Sequence, residues 1–303
     1  MPDTPSKDAP QNRSRRGDRG PSRGFSRGAG AGSGTGSARR GGQGSWQGRP
    51  DRINAEPFWL FGLHAVRDAL ENPSRDKRRL LVTPNAQQKL AEAIARAGIE
   101  PEIQDPRRFG APLDPQSVHQ GAALETVPLV WGTLEDVCAP RNEEDRPRVL
   151  LLDRVTDPHN VGAILRSAEV FGARAVIAPV RHSAPETGAL AKSASGALER
   201  QPYLRVKNLG TAMETLKELG YVLLGLDGEA RLTLDAAAAS SAEAPVGLAL
   251  GAEGPGLRDK TKGLCDELVA VPSASAFASL NVSNAAAIAL YATRAGTPSP
   301  DKS

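Results

Sequence analysis

"DPHNVGAILRSAEVFGARAVI", residues 157–177, is the stretch whose reading decides the fold. Its middle carries apolar residues at helical spacing, and its end is a short apolar, β-branched run. The pattern reads as an amphipathic helix feeding a buried strand. The entrance is polar, with Asp157, Pro158, His159 and Asn160 ahead of the helix and Arg166 within it. A helix that only has to pack needs no such entrance.

Outward from this stretch the texture repeats. "RVLLLD" precedes it as a fully apolar strand, and "ARAVIAP" closes it as another. A helix around "ETGALAKSASGALE" leads to the strand "YLRV", and the helix "LGTAMETLKELG" leads to "YVLLGLD". "VGLALG" and "ELVAVP" follow as buried strands, and a long helix lies within "SLNVSNAAAIALYATRA". Continuous apolar strands alternating with helices predict an α/β fold with a parallel sheet covered on both faces. This part is expected to span residues 148–298.

Upstream, residues 57–130 read as a smaller α/β unit. "WLFGLHAVRDAL" has helical spacing, "RRLLVTP" is a short strand, "AQQKLAEAIARAGI" is a helix stopped by Gly98, and "GAALETVPL" alternates like a strand. The turn "SRDKRR" sets Arg75, Lys77, Arg78 and Arg79 together, either to grip phosphates or as a solvated loop. Residues 131–147, polar and proline-bearing, read as a linker.

Residues 1–56 are different. They have almost no aliphatic side chains to offset the entropy of ordering them, so they are expected to be a disordered tail. Residues 1–52 hold eleven Lys+Arg against four Asp+Glu, a charge of +7, while the whole chain is +3. The basic balance therefore belongs to the tail, whose Arg/Gly composition with Phe25 and Trp46 suits contact with RNA phosphates and bases.

No apolar run approaches the roughly 20 residues of a membrane span, and no secretory signal pattern is present. Cys138 and Cys265 stand far apart, which implies neither a disulfide framework nor a CxxC metal site. His64, His119, His159 and His182 have no metal-ligand spacing, so no metal is expected. A reducing cytoplasm is the expected location.

In open parallel sheets, ligands gather in the loops after the strands' carboxyl ends. Three such loops here are rich in polar and glycine residues: "DRVTDPHNVG", "GAEGPGL" and "VPSASAFASLN". Together they resemble the SpoU/TrmH family of RNA ribose 2′-O-methyltransferases, of the SPOUT class, over about residues 60–295. "DPHNVGAILRSAEVFGA" places Asn160 and Arg166 at the family's N-x-G-x-x-x-R spacing. "LGAEGPGL" carries Glu253, and "SLNVSNAAAIALY" carries Ser279 and Asn281. The unit containing "GLHAVRDAL" and "HQGAALETVPL" resembles the substrate-binding domain of the branch that modifies a guanosine in 23S rRNA.

The resemblance implies a carboxyl-terminal trefoil knot, S-adenosylmethionine as cofactor, RNA as substrate and a homodimer with its site near the subunit interface. It implies cofactor contacts at Gly251, Val271 and Leu280, and catalytic-site roles for Arg166, Asn160, Glu253, Ser279 and Asn281. Arg166 is expected to bind substrate phosphate and stabilise developing negative charge, since a guanidinium stays protonated. Asn160, Ser279 and Asn281 also have a plain reading as helix caps. The third loop departs from the family pattern, with Ser275 where a glycine is usual. Two other readings of function stand beside the 23S rRNA one: a tRNA 2′-O-methyltransferase, and a non-catalytic RNA-binding ribosome-assembly factor.

Overall fold

The computed structural model describes residues 56–273 and 280–294. Positions 1–55 of the expected tail, and Ser275 and Ser279, lie outside the described residues.

The amino-terminal part runs β1 (Phe58–Phe61), α1 (Leu63–Glu71), β2 (Arg79–Val82), α2 (Pro84–Ala97), β3 (Pro101–Ile103), β4 (Ala122–Thr126). Its sheet has the order β1-β4-β2-β3, with β4 antiparallel to both neighbours and β2 parallel to β3. Helix α2 follows its sequence signals. Thr83 accepts the Ala86 N–H, Pro84 occupies the first turn, and Gly98 ends it at φ 65°. "WLFGLHAVRDAL" is only partly helical, because "FWLF" is strand β1. Its aromatic residues suit a pleated surface, and Gly62 at φ 92° makes a break between strand and helix that a β-carbon would resist.

The remainder runs α3 (Leu134–Cys138), β5 (Arg148–Asp153), α4 (Pro158–Val170), β6 (Ala175–Pro179), α5 (Gly188–Ala194), β7 (Tyr203–Val206), α6 (Leu209–Glu218), β8 (Val222–Leu226), β9 (Leu232–Thr233), α7 (Leu234–Ser240), β10 (Val246–Gly251), α8 (Asp259–Lys262), β11 (Glu267–Ala270) and α9 (Val282–Ala292). The strands form a parallel seven-stranded sheet in the order β7-β6-β5-β10-β8-β11-β9. Every residue of β5 and β6 is buried. Alternate side chains of β5 enter different cores. Leu150 and Leu152 pack with α4, α5 and α9, while Val149 and Leu151 pack with α6. Each fully buried leucine contributes about 2–3 kcal/mol. Covered faces, rather than alternation, are why these strands read as unbroken apolar runs.

The expected linker contains structure of its own. Thr133 and Asp136 form a reciprocal capping box on α3, Cys138 is fully buried, and the Tyr221 hydroxyl donates to the Cys138 carbonyl at 2.6 Å. Arg174 pairs with Asp145 at 2.7 Å. Residues 131–147 are therefore docked on the second sheet rather than strung between two units.

The basic turn divides: Arg78 and Arg79 are solvent-exposed, as a solvated loop predicts, whereas Arg75 turns inward. Arg75 is buried, and its guanidinium donates to Glu199 from Nε at 3.0 Å and Nη2 at 2.8 Å, and to the Val127 carbonyl from Nη1 at 2.8 Å. Lys77 donates to the Asn72 carbonyl at 2.6 Å, and Arg79 pairs with Glu102 at 3.0 Å. Arg79 and Glu102 pair at the surface, while buried Arg75 ties the small sheet to the segment between α5 and β7.

Candidate active site

The site lies at the carboxyl edge of the seven-stranded sheet, where β10 sits between β5 and β8 and the first turns of α4 and α9 meet the turn after β10. Each loop is fixed by its own sequence. After β5, Asp157 caps α4 by accepting the His159 N–H, and Pro158 occupies the first helical turn. Asn160 is thus inside the helix and is not its cap, which corrects the plain reading of that residue. Its burial frees the side chain for another task.

After β10, the "GAEGPGL" turn folds back on itself through a bridge between Ala252 and Gly256. A β-carbon on Gly251 would meet the Gly256 carbonyl carbon at 2.0 Å and the Leu257 nitrogen at 2.2 Å. Only glycine lets the loop close there. Before α9, Asn281 is the cap, its Oδ1 accepting the Ser283 N–H at 2.9 Å.

Three of the expected site residues meet. Asn160 Nδ2 donates to Glu253 Oε1 at 3.1 Å, and Asn281 Nδ2 donates to the same oxygen at 2.7 Å. Asn281 Nδ2 also donates to Asn160 Oδ1 at 3.0 Å. Asn281 therefore caps a helix with its oxygen and ties the loops together with its nitrogen. Glu253 belongs to an exposed stretch of chain, yet its carboxylate is held by two amides, one from the first turn of α4 and one from the cap of α9.

Arg166 is not part of this network. Six residues beyond Asn160 on α4, it lies about 120° round the helix at 3.6 residues per turn. It is exposed and has no ion-pair partner among the described residues. Its α4 neighbour one turn on, Val170, is 76% exposed.

A further anchor carried little signal in the sequence beyond an acid at a strand end. Asp153 closes β5 and is fully buried. It accepts from the Arg258 backbone at 3.1 Å, Arg258 Nε at 2.7 Å and Thr261 Oγ1 at 2.7 Å. Burial works to raise its pKa, but the bonds from Arg258 and Thr261 outweigh it and hold the carboxyl below its ordinary value. This clamp fixes the far end of the glycine turn. Beside Asn160, His159 Nδ1 lies 2.9 Å from Ser193 Oγ of α5.

The expected cofactor residues fit S-adenosylmethionine in chemistry. Gly251 ends β10 with the glycine turn folded against it, Val271 follows β11 half-buried, and Leu280, before α9, is 46% exposed. Backbone groups beside apolar side chains suit an adenine ring and its polar tail. No group of three or more His, Cys, Asp and Glu that could hold a metal exists among the described residues. Both cysteines are free, and burial pushes Cys138 up to about 12 and Cys265 up to about 11.

The chain is similar to known proteins. Residues 147–291 match the SpoU rRNA Methylase family, and residues 59–130 match the RNA 2′-O ribose methyltransferase substrate-binding family. The 23S rRNA (guanosine-2′-O-)-methyltransferase RlmB of Salmonella typhimurium is 36% identical over 239 residues, 77% of this chain and 96% of its own length. A Synechocystis protein named as a tRNA/rRNA methyltransferase is 37% identical over 239 residues, but the match spans only 61% of that longer relative. Among solved structures, the SpoU methyltransferase AviRb of Streptomyces viridochromogenes in complex with AdoMet superposes with a TM-score of 0.66 at 26% identity, covering 78% of this chain and 89% of that one. The two family matches, and the 36% identity over 77% of the chain, make this chain a member of the SpoU rRNA methylase family.

Proposed function

We propose that the chain transfers the methyl group of S-adenosylmethionine to the 2′-hydroxyl of a guanosine in 23S rRNA. The observation that carries this reading is the Asn160–Glu253–Asn281 network, which locks three loops at the edge where such sheets bind ligands. The RlmB name of relatives aligned over nearly their full length supports the substrate. Bound S-adenosylmethionine supplies an electrophilic methyl group. Gly251, Val271 and Leu280 hold it by backbone and apolar contact. Asn160, Glu253 and Asn281 keep the loops, and so the reacting atoms, in line. Ser279, outside the described residues, is assigned to the same site by its place in the "SLN" motif. Arg166 meets the RNA, binding phosphate and stabilising negative charge as the hydroxyl proton leaves.

Two architectural features belong to the same reading. The first is a trefoil knot, a feature rare among folds. It is supported by the strand order, since β10 lies between β5 and β8 while α9, which follows β11, packs back against α4 and β10. The second is a homodimer. Val170, Ile288 and Tyr291 are 76%, 39% and 52% exposed on α4 and α9, and Phe171 meets Tyr291 edge-on at 6.1 Å. A second copy covering this apolar face would set Arg166, one turn from Val170, at the subunit boundary. No helix among the described residues is long and apolar enough to cross a membrane. An rRNA substrate supports a cytoplasmic location for the activity, and the Arg/Gly tail adds phosphate contacts. The test is transfer of labelled methyl by purified full-length chain to 23S rRNA and tRNA transcripts. Ribose-linked label on guanosine of the 23S transcript is expected, and label on tRNA alone would replace the substrate.

A further inference from the structure

The amino-terminal sheet carries an open cleft of about 420 Å³ that none of the methyl-transfer residues lines. Its walls are Thr83 and Asn85 at the exit of β2, Pro106 after β3, and the segment 117–121 before β4. That volume falls in the range of small-ligand sites, about 300–1,000 Å³. Flat and apolar surface stands beside amide groups here. The His119 ring lines the cleft and is stacked on Phe109, with centroids 4.2 Å apart and planes 14° apart. Its Nδ1 accepts the Gly121 N–H at 3.1 Å, which fixes the ring. Val118 beside it is 59% exposed. A single exposed valine is ordinary, but this one stands in the wall of a cleft next to a backed aromatic ring.

The segment is pre-organised rather than slack. Gln120 is held in the left-handed region at φ 54°, and its Oε1 accepts the Leu63 N–H at 3.0 Å. Exposed cations stand beside the cleft's lining residues in the chain. Lys89 lies one turn beyond Asn85 on the same face of α2, and Arg107 and Arg108 follow Pro106. All three are exposed, and none has an ion-pair partner among the described residues. The neighbouring carboxylates of Asp105 and Asp114 accept turn N–H groups from Arg107 and Gln116 at 2.8 Å each.

The geometry points to a binding site for one unpaired RNA nucleobase, seated against His119 and Val118 with its edge on Asn85, while Lys89, Arg107 and Arg108 take the flanking phosphates. Splayed bases are recognised by stacking and by hydrogen bonds to their edges, and the backbone by cations. This inference rests on RNA being the substrate.

The test uses full-length chain and fluorescence anisotropy with two probes of about eight nucleotides. One is a mixed-sequence single-stranded RNA, and the other is an abasic ribose-phosphate strand of equal length and charge. Wild type is expected to favour the base-bearing probe, and the Asn85→Ala/Val118→Ser variant to lose about tenfold of that preference. Abasic binding should not change. The tail is present in both proteins, so its contribution cancels. Circular dichroism and S-adenosylmethionine calorimetry at wild-type values establish that the variant folds. Should the double variant unfold, Val118→Ser alone, at an exposed position, carries the same comparison. A variant that discriminates as wild type does would overturn the site and leave the cleft to a protein segment. Failure of wild type to methylate 23S rRNA would sink the proposed function without touching this comparison, which uses short probes and no cofactor.

Discussion

On the proposed reading, Arg166 touches RNA and Glu253 holds the site's segments in place. Arg166 stands exposed on α4, outside the amide–carboxylate network. Arg166→Ala should therefore abolish transfer while leaving S-adenosylmethionine affinity intact by calorimetry. Single-turnover rates on saturating RNA that stay within about threefold of wild type, roughly 0.7 kcal/mol, would contradict its role. Glu253 is different, because both its bonds come from amide nitrogens. A glutamine oxygen accepts the same two bonds, so Glu253→Gln should keep cofactor affinity within about threefold, whereas Glu253→Ala should weaken it by about tenfold or more. Equal losses in both variants would show that the charge, and not the position, matters. Both residues were candidates in the sequence through the motifs that resemble the family's. The double use of Asn281 and the interior place of Asn160 were not, because "DPHN" offers several polar residues for one cap and only the backbone shows that Asp157 takes it.

At the level of elements, the basic turn before β2 teaches most. Its four cations read as surface chemistry, yet Arg75 lies buried between Glu199 and Glu186. Glu186 Oε2 stands 3.7 Å from Arg75 Nη1, too far for a hydrogen bond, and has no other partner among the described residues. Burial pushes the Glu186 carboxyl up from its ordinary 4.5 to about 7, against the pull of Arg75, the Leu129 N–H and Arg205 and with the push of Glu199. A carboxyl held higher in the folded chain than in the unfolded one favours folding below about pH 4.5 and loses that contribution as pH rises through about 7. Wild type should thus lose stability between about pH 5 and pH 8. Glu186→Gln should lose less, with a Tm raised by roughly 2 °C or more near pH 8. Parallel Tm–pH profiles for the two proteins would contradict this account. Strands β1 and β3 escaped the sequence for a related reason. Each is four residues or fewer, and pairing with β4 and β2, not local periodicity, makes them strands.

For the whole molecule, the α/β class and the parallel sheet were written in the apolar runs, because strands covered on both faces have no polar alternation to blur them. Strand order was not, since periodicity carries no long-range pairing. Only the structure sets β10 between β5 and β8 and so gathers Asn160, Glu253 and Asn281 from loops more than 90 residues apart in the case of Asn160 and Glu253. The central claim, that this assembly methylates a guanosine ribose in 23S rRNA, is tested most directly by site-resolved 2′-O-methyl mapping of RNA from cells that lack the protein. One guanosine of 23S rRNA should lose its mark, regain it with the wild-type chain and fail to regain it with Arg166→Ala. An unchanged 23S rRNA map, or a lost mark confined to tRNA, would contradict the account.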